Sequence, residues 1–359
     1  MTIKKSKISK TKINAIDLFC GVGGLTKGLE KSGIKVNLGV DIDPACNFPY
    51  SANNSGVFLE KSINKLSGSD IEGFFEDGAI RLLAGCAPCQ TFSTYNRTSG
   101  SDDERWWLLL EFGRLIKETL PEIVTMENVP GLIKQAVFKT FKNNLLQLGY
   151  KVESKIINCS KYGLPQNRRR LVLLASKLGS IRLLDPSEFS DKANKTVKET
   201  IGALEPIEAG CFLPNDLLHK SAGLSDLNLQ RIKVSKPGGT WRDWPPNLVA
   251  KCHKKESGKT YPGVYGRMAW DEPSPTITTQ FMGFGNGRFG HPEQHRGLSL
   301  REGAMLQGFP KNYKFLKKGE MPVTKVIGRL VGNAVPVTLG HLIGKSIKIH
   351  VAGANYEPL

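Results

Sequence analysis

The chain has 359 residues, of which 40% are apolar, and its 50 Lys and Arg exceed its 33 Asp and Glu to leave a net charge of +17. This length predicts about two domains of ~150 residues and excludes a small module that needs disulfides or a metal ion to hold a core. So basic a chain favours a polyanionic partner. The sequence has no run of ~18 apolar residues and no apolar amino-terminal signal, so we expect neither a membrane span nor secretion.

A strand–helix–strand unit follows a basic amino-terminal tail. Residues 1–12 carry five lysines and no acid, which is typical of a solvated tail. Apolar runs predict strands at 16–19 and 36–40, which flank a Gly-rich turn and a helix over 25–32. Further strands are predicted at 80–84, 123–126, 155–157 and 171–175, and further helices at 107–117 and 137–148. This pattern predicts an α/β fold with a doubly wound, mostly parallel sheet.

The region after residue 176 is predicted to form a second, smaller and irregular domain. Helical periodicity is weak from 177 to 297 and returns at 299–306 and 336–349. We therefore expect 13–176 and 298–359 to form one domain and 177–297 another. Between 220 and 267, ten Lys and Arg stand against three acids, among several aromatic residues. This mixture favours a nucleic-acid surface, and an ordinary basic loop region would have the same composition.

The first Gly-rich turn predicts a nucleoside site. It has the sequence Asp17-Leu-Phe-Cys-Gly21-Val-Gly23-Gly24-Leu25, and Asp41 follows Gly21 by twenty residues at the end of the next strand. Glycines let the backbone approach a ligand, the helix start offers free N–H groups, and a carboxylate accepts hydrogen bonds from ribose hydroxyls. Thr26 occupies the place of the third glycine of a dinucleotide fingerprint, which favours a nucleoside without pyrophosphate, such as S-adenosylmethionine. A turn that only packs a helix on a strand gives the same pattern.

A cysteine-containing loop follows the predicted strand at 80–84. Its sequence is Gly85-Cys86-Ala-Pro88-Cys89-Gln90-Thr-Phe-Ser93. The Cys-x-x-Cys spacing also occurs in thioredoxin-like redox sites, but those cysteines begin a helix, whereas a polar run follows here. A zinc site would need two more ligands, and the adjacent Cys252 and His253 are poorly spaced for a tetrahedron. The seven cysteines are irregularly spaced, so we expect reduced thiols.

Together the two loops resemble those of the cytosine-C5 DNA methyltransferases, in which a Pro-Cys-Gln loop carries the nucleophile. Four more motifs of that family follow in order, namely Glu127-Asn-Val, Gln166-Asn-Arg168-Arg-Arg170, Arg301-Glu-Gly-Ala-Met-Leu-Gln-Gly-Phe-Pro310 and Gly332-Asn333-Ala-Val-Pro336. The resemblance implies a Rossmann-like S-adenosylmethionine-dependent fold with a target-recognition domain at 177–297. It also implies transfer of a methyl group to carbon 5 of a cytosine that is flipped out of a specific duplex sequence.

The resemblance assigns catalytic roles to four residues. Carbon 5 of cytosine is a weak nucleophile, so the Cys89 thiolate first adds at carbon 6. That addition needs a proton or a strong hydrogen bond at N3, which Glu127 would provide. Arg168 would stabilise negative charge at the ring oxygen O2, and Arg170 would support the loop. None of these steps needs a metal, and we expect none.

The resemblance also implies the binding residues. The expected contacts of the methyl donor are Phe19, Gly21, Val22, Gly23, Asp41, Ile42, Ser62, Ile63, Pro88, Leu108 and Asn333. Ser62 departs from the family, where an acid often meets the adenine amine. The expected DNA contacts are Gln90 and Ser93, which would help to close the cysteine loop, and the basic residues Lys251, Lys254 and Lys255.

The expected partner is double-stranded DNA, with a restriction endonuclease of the same target sequence as a further partner. We expect a monomer in the cytoplasm, associated with the nucleoid. Two other hypotheses stay open from the sequence. One is a transfer-RNA cytosine-C5 methyltransferase, for which the recognition region 177–297 is long; the other is a nucleic-acid-binding homologue that has lost catalysis, which would need a broken site.

Overall fold

A seven-stranded sheet forms the centre of the computed structural model, which describes residues 12–88, 107–189 and 193–354. The strand order is β3-β2-β1-β4-β5-β7-β6. The strands are β1 (Ile13–Leu18), β2 (Lys35–Asp41), β3 (Val57–Glu60), β4 (Ile80–Gly85), β5 (Ile123–Asn128), β6 (Lys151–Asn158) and β7 (Arg169–Ser176). The first five pair in parallel, and β7 runs antiparallel to both of its neighbours. The predicted α/β fold with a mostly parallel sheet is confirmed.

Helices cover both faces of the sheet and continue into the rest of the chain. They are α1 (Gly24–Lys31), α2 (Asn47–Asn53), α3 (Gly68–Glu72), α4 (Trp107–Thr119), α5 (Ala136–Gln147), α6 (Pro186–Phe189), α7 (Val197–Ile201), α8 (Asp226–Val234), α9 (Glu256–Lys259), α10 (Leu300–Leu306), α11 (Thr324–Asn333) and α12 (Val337–Gly353). A two-stranded ribbon consists of β8 (Phe212–Leu213) and β9 (Asp216–Lys220). Each helix and strand predicted from periodicity is present, with bounds that differ by a few residues.

Alternate side chains of the strands enter two separate apolar clusters. On one face, Ala15 and Leu82 pack with Leu29 of α1 and Leu342 of α12. On the other face, Leu83 and neighbouring strand residues pack with α4 and α5. This period of two, buried on both faces, is the arrangement of a doubly wound sheet.

The segment after β7 stays with the sheet at first. Ile181, Leu183 and Leu184 are buried in the cluster that contains α1 and α12. A third cluster combines side chains from 197–298 with others from α10 and α11, so apolar residues on both sides of position 297 share one core. The division into domains at 176 and 297 remains a prediction.

The predicted recognition region, 177–297, of which residues 177–189 and 193–297 are described, holds a small aromatic cluster. Trp241, Trp244 and Phe284 pack with Ile232 and Leu248. Few regular elements supply backbone hydrogen bonds here, and buried arginines donate to carbonyl oxygens instead. Arg267 Nη1, for example, donates to His291 O and Gln294 O at 2.9 Å each.

The carboxyl-terminal stretch Thr324–Gly353 is long and apolar enough, by length and composition alone, to cross a membrane, with a mean hydropathy of 1.4. In the structure it consists of two helices, α11 and α12, which are separated by Ala334, Val335 and Pro336. Within its most apolar window 72% of the residues are buried inside the protein. This is the environment of core helices.

The close contact between α1 and α12 predicts the effect of one methyl group. A Cβ added at Gly28 would lie 2.4 Å from His341 N and 2.5 Å from Gly340 Cα. We expect Gly28→Ala to force the helices apart and to lower the free energy of unfolding by about 1–3 kcal/mol, despite the better helix propensity of alanine.

The matched control for Gly28 is Gly73→Ala. An added Cβ at Gly73 meets nothing within 4 Å, and the residue has an ordinary φ of −66°. Urea denaturation of both variants measures the difference. Equal midpoints for the two variants would contradict the tight packing of α1 on α12.

Candidate active site

Polar side chains converge at one edge of the sheet. The carboxyl ends of β2, β1, β4 and β5 lie side by side there, which is where ligands bind in open α/β sheets. They bring together Asp41, Asp17, the cysteine loop and Glu127. Because β7 is antiparallel to β5, its beginning reaches the same edge and adds Arg170.

A cavity of about 460 Å³ opens at this edge. It is lined by all of the predicted donor-binding and catalytic residues within the described ranges except Gly23, namely Phe19, Gly21, Val22, Asp41, Ile42, Ser62, Ile63, Pro88, Leu108, Glu127, Arg168, Arg170 and Asn333. The sequence motifs therefore meet in one place. Cys89, Gln90 and Ser93 lie outside the described residues.

The Gly-rich turn is held by the acid that follows β2. Gly21 has a φ of +53°, and its N–H donates to Asp41 Oδ2 at 2.8 Å. An added Cβ at Gly21 would meet nothing within 4 Å, so the space beside the turn is open to a ligand. A Cβ at Gly23 would instead lie 2.2 Å from Asn54 Nδ2, so packing against the chain after α2 requires this second glycine.

Asp17 occupies the floor of the cavity without a full set of partners. Its Oδ2 accepts a hydrogen bond from Thr26 Oγ1 at 2.7 Å, whereas its buried Oδ1 has no partner among the described residues. Burial raises the pKa of Asp17 to about 7, against the opposing effect of the Thr26 hydrogen bond. Thr26, in the place of a third glycine, thus ties α1 to the end of β1.

The cysteine loop is anchored to β5 by Asn128. Its Nδ2 donates to Ala87 O at 3.0 Å, in a buried contact. Burial, together with the neighbouring Glu127 carboxylate, raises the pKa of the Cys86 thiol. A thiol with a raised pKa is a poor nucleophile at neutral pH. Cys86 is therefore unsuited to the chemical role that the sequence assigns to Cys89.

Glu127 and the two arginines form the charged side of the cavity. Glu127 is 7% exposed, and its Oε1 lies 2.8 Å from Arg170 Nε. The N–H bond of this ion pair is not directed at the oxygen, so Oε1 has no hydrogen-bond partner among the described residues. Glu127 can therefore still engage a ligand.

The side chain of Arg168 donates hydrogen bonds to two backbone carbonyl oxygens. Its Nη1 donates to Ile277 O at 3.1 Å and its Nη2 to Gly332 O at 3.3 Å. Burial lowers the pKa of Arg168. Arg168 thus supports the surrounding chain, and Arg170 is the arginine that lies beside Glu127; the roles expected of both arginines remain predictions.

Unpaired buried polar atoms are concentrated in this cavity. Within the described ranges, seven buried side-chain atoms lack a hydrogen-bond partner, and three of them line the cavity: Asp17 Oδ1, Glu127 Oε1 and Arg168 Nε. Each such atom costs about 1–3 kcal/mol when it stays unpaired. Two acceptors and one donor held in this way mark a ligand-binding site.

The family of C-5 cytosine-specific DNA methylases matches residues 13–349. The chain belongs to this family. It is therefore an S-adenosylmethionine-dependent enzyme that methylates carbon 5 of cytosine in DNA, and the first of the three hypotheses from the sequence is confirmed.

Relatives of this methylase are found among bacterial modification enzymes. It is 49% identical over 341 residues to the type II methylase M.HgiDII of Herpetosiphon aurantiacus, covering 94% of this chain and 96% of that protein. It is 32% identical over 356 residues to the type II methyltransferase M.Eco47II of Escherichia coli, covering 96% and 80%.

Solved structures share the fold of the methylase. A DNA modification methyltransferase encoded within an E. coli prophage superposes with a TM-score of 0.71 at 22% identity, covering 95% of this chain and 99% of that one. The S. pombe Dnmt2 methyltransferase superposes with a TM-score of 0.59 at 18% identity, covering 96% and 100%.

Several residues of the methylase cavity carry no role in the sequence analysis. Asp17 and Asn128 stand inside motifs, and their neighbours in those motifs could have drawn attention to them. Arg329 of α11 forms an ion pair with Asp43 beside the cavity. No sequence signal links two residues 286 positions apart. Across the described ranges, no three His, Cys, Asp or Glu side chains group as metal ligands.

Replacing the acid after β2 tests the nucleoside end of the methylase cavity. Asp41→Ala should weaken binding of S-adenosylmethionine by at least about tenfold, because it would remove the expected charge-assisted hydrogen bonds to the ribose, each contributing about 1.5–3 kcal/mol. Calorimetry gives the dissociation constant. Asp77→Ala, which removes an exposed acid in the loop before β4, should leave it unchanged. An unaltered affinity in Asp41→Ala would show that the cavity holds the nucleoside elsewhere.

Proposed function

We propose that the methylase adds the Cys89 thiolate to carbon 6 of a cytosine that has rotated out of the duplex, with Glu127 as the acid at N3. The observation that carries this proposal is the buried Glu127 carboxyl group, whose Oε1 lies beside Arg170 and has no hydrogen-bond partner among the described residues. It faces the same cavity as Pro88, the residue before Cys89. The Asn128–Ala87 hydrogen bond fixes the start of that loop.

The chemistry balances without a metal. The sulfur of Cys89 forms a bond to carbon 6, and Glu127 donates a proton or hydrogen bond to N3, so the ring becomes an enamine with a nucleophilic carbon 5. S-adenosylmethionine, when bound, supplies the methyl group that carbon 5 receives, and its sulfur keeps the electron pair of the broken S–C bond as the thioether S-adenosylhomocysteine. A base then removes the carbon 5 proton, and the electrons of that C–H bond restore the bond between carbons 5 and 6 and expel the thiolate from carbon 6. Any proton given to N3 returns to Glu127.

Arg168 and Arg170 have different roles in this proposal. We assign Arg170, next to Glu127, to hold the carboxyl group in place and to stabilise negative charge that develops on the ring. Arg168 positions the loop through Ile277 O and Gly332 O and keeps its Nε–H for the O2 side of the base. Arg168 thus keeps the role at O2 expected from the sequence, and Arg170 is added as a second source of positive charge.

The residues of the cavity fit the methyl donor. The unpaired Asp17 Oδ1 suits a cationic group, and Asp41 suits the ribose. The apolar side chains of Phe19, Ile42, Ile63 and Leu108 provide faces for an adenine ring, and the remaining contacts would come from Gly21, Val22, Ser62, Pro88 and Asn333. Ile42 is 67% exposed and would be covered by that ring. Gly23 does not line the cavity, and its role is to allow close packing against Asn54.

A cytosine cannot reach the cavity while it is stacked in a duplex, so the enzyme must flip it. Gln90 and Ser93 would close the cysteine loop over it. The exposed Lys251, Lys254 and Lys255 would contact phosphates. These lysines lie in and directly after a 3-10 turn, and His253 of that turn stacks on Trp241 with ring centroids 4.4 Å apart.

The relatives are named type II methylases and methyltransferases. These names support the proposal that the enzyme accompanies a restriction endonuclease that recognises the same DNA sequence. The partner DNA is then double-stranded, and protection of that sequence is the biological result. We propose a cytoplasmic monomer without a metal, in line with the sequence analysis.

DNA with 5-fluorocytosine at the target position tests the nucleophile. Cys89 should add at carbon 6 and the methyl group should arrive, but elimination should stall because fluorine does not leave as a proton does. A covalent protein–DNA complex should accumulate, require S-adenosylmethionine and survive denaturing electrophoresis.

Cysteine variants provide the controls for this adduct. It should vanish in Cys89→Ala and persist in Cys86→Ala, whose thiol has a raised pKa. An adduct that survives Cys89→Ala would move the nucleophile elsewhere. No adduct from a folded enzyme that binds its cofactor and its target DNA would refute the covalent mechanism.

Salt dependence tests the three lysines. Each phosphate contact adds about 0.9 to the slope of log affinity against log salt concentration. Neutralising Lys251, Lys254 and Lys255 with Gln should flatten that slope by about 2 to 3. The control replaces three exposed lysines elsewhere, Lys117, Lys134 and Lys139, with Gln and so removes the same net charge. If the slope is the same as that of the wild type, the DNA phosphates contact other residues of the enzyme.

A further inference from the structure

A second cavity, a groove of about 810 Å³, lies between the recognition region and the loop that carries Arg168. The mechanism above makes no use of it. Its polar lining includes Asn167, Tyr261, Glu272, Thr276, Asn286 and Arg288. Asn167 is the residue directly before Arg168, so one end of the groove adjoins the catalytic cavity.

One wall of the groove is fixed to the catalytic loop by short hydrogen bonds. Asn167 N donates to Ser274 O at 2.8 Å, and Thr276 Oγ1 donates to Asn167 O at 2.8 Å. Ile277 N donates to the buried Gln166 Oε1 at 2.9 Å. A ligand held in the groove would therefore keep a constant distance from the catalytic cavity.

Arg288 differs from the three buried arginines of the recognition region. Arg231, Arg267 and Arg296 are buried and donate to backbone carbonyls. The half-buried Arg288 forms no hydrogen bond and no ion pair within the described part of the chain, not even with Glu272, the one acid among the described residues that line the groove.

The stem of Arg288 is nevertheless held in place. A Cβ added at Gly266 would lie 2.8 Å from Arg288 Cγ, so the arginine packs along the bare backbone of this glycine. A fixed stem with a free guanidinium loses little side-chain entropy when the guanidinium binds a ligand. Such an arginine is organised for a ligand of defined geometry.

We propose that Arg288 determines specificity by donating two hydrogen bonds to O6 and N7 of a guanine in the target sequence. The planar fork of arginine matches these two acceptors, and this pair is the commonest specific contact in the major groove. Flexible exposed lysines such as Lys254 suit phosphates, which need charge and little geometry. The proposal rests on the DNA substrate of the family and is independent of the covalent mechanism.

The test compares the methylated sequences of the wild type and of Arg288→Met, which keeps the stem against Gly266. Genome-wide sequencing of methylated cytosines in a host that expresses each full-length enzyme gives both motifs. We expect the variant to accept other bases at one guanine of the wild-type motif. On duplexes that differ only there, discrimination should fall by about 10- to 100-fold.

Lys233→Ala is the matched control, because it removes an exposed positive charge from α8, outside the groove, and should keep the wild-type motif. A wild-type motif without guanine would overturn the proposal. So would an unchanged motif in Arg288→Met, including the case in which affinity falls equally for all sequences and the salt slope drops by about 1, the signature of a phosphate contact. Unchanged binding of S-adenosylmethionine shows that the variant is folded.

Discussion

The contact between the two ends of the chain is the constraint on which the active site depends. Helix α12 crosses α1 at Gly28 and Gly340, where neither position has room for a methyl group. A Cβ at Gly24 would also lie 2.1 Å from Val335 O, so the link between α11 and α12 rests on the first turn of α1. This packing brings Asn333 to the Gly-rich turn. The cavity is incomplete without it, since one side comes from residues more than 300 positions after the other.

Buried arginines replace regular secondary structure in the recognition region. Loop carbonyls that leave water need donors, and one guanidinium offers five N–H groups in a fixed plane. Arg296 shows the arrangement: it forms two hydrogen bonds of 2.7 Å with Glu302 and donates to Ile207 O and Gly297 O. In these bonds Arg296 is the donor each time, and two of the acceptors are the oxygens of the Glu302 carboxylate. This pairing offsets the cost of burying the positive charge. Hydrogen bonds from buried arginines thus stabilise an irregular segment that has only a small apolar core.

The sequence predicts features that depend on neighbours in the chain. Strand and helix periodicity, the Gly-rich turn and Glu127 at the end of a strand are local patterns, and the structure places them as expected. Strand β3 is not predicted, because it is short and its alternation is weak, with Val57 57% exposed. Helix α11 is also not predicted, although its Gly332 and Asn333 belong to a motif. The partners of Arg168 and Arg170 depend on how distant segments meet, and spacing carries no information about that.

The side chain of Arg168 connects the predicted recognition region with the proposed methyl-donor site. Its Nη1 donates to Ile277 O, within the predicted recognition region, and its Nη2 donates to Gly332 O, next to Asn333. Gln166 repeats this link, since its Nε2 donates to Gln307 Oε1 at 2.8 Å and the Gln307 amide donates to Ala334 O at 2.6 Å. These buried hydrogen bonds, 2.6 to 3.3 Å long, connect residues 166–168 and Ile277 with the backbone on either side of Asn333. The same atoms that hold the Arg168 loop in place thus connect the predicted recognition region with the proposed methyl-donor site.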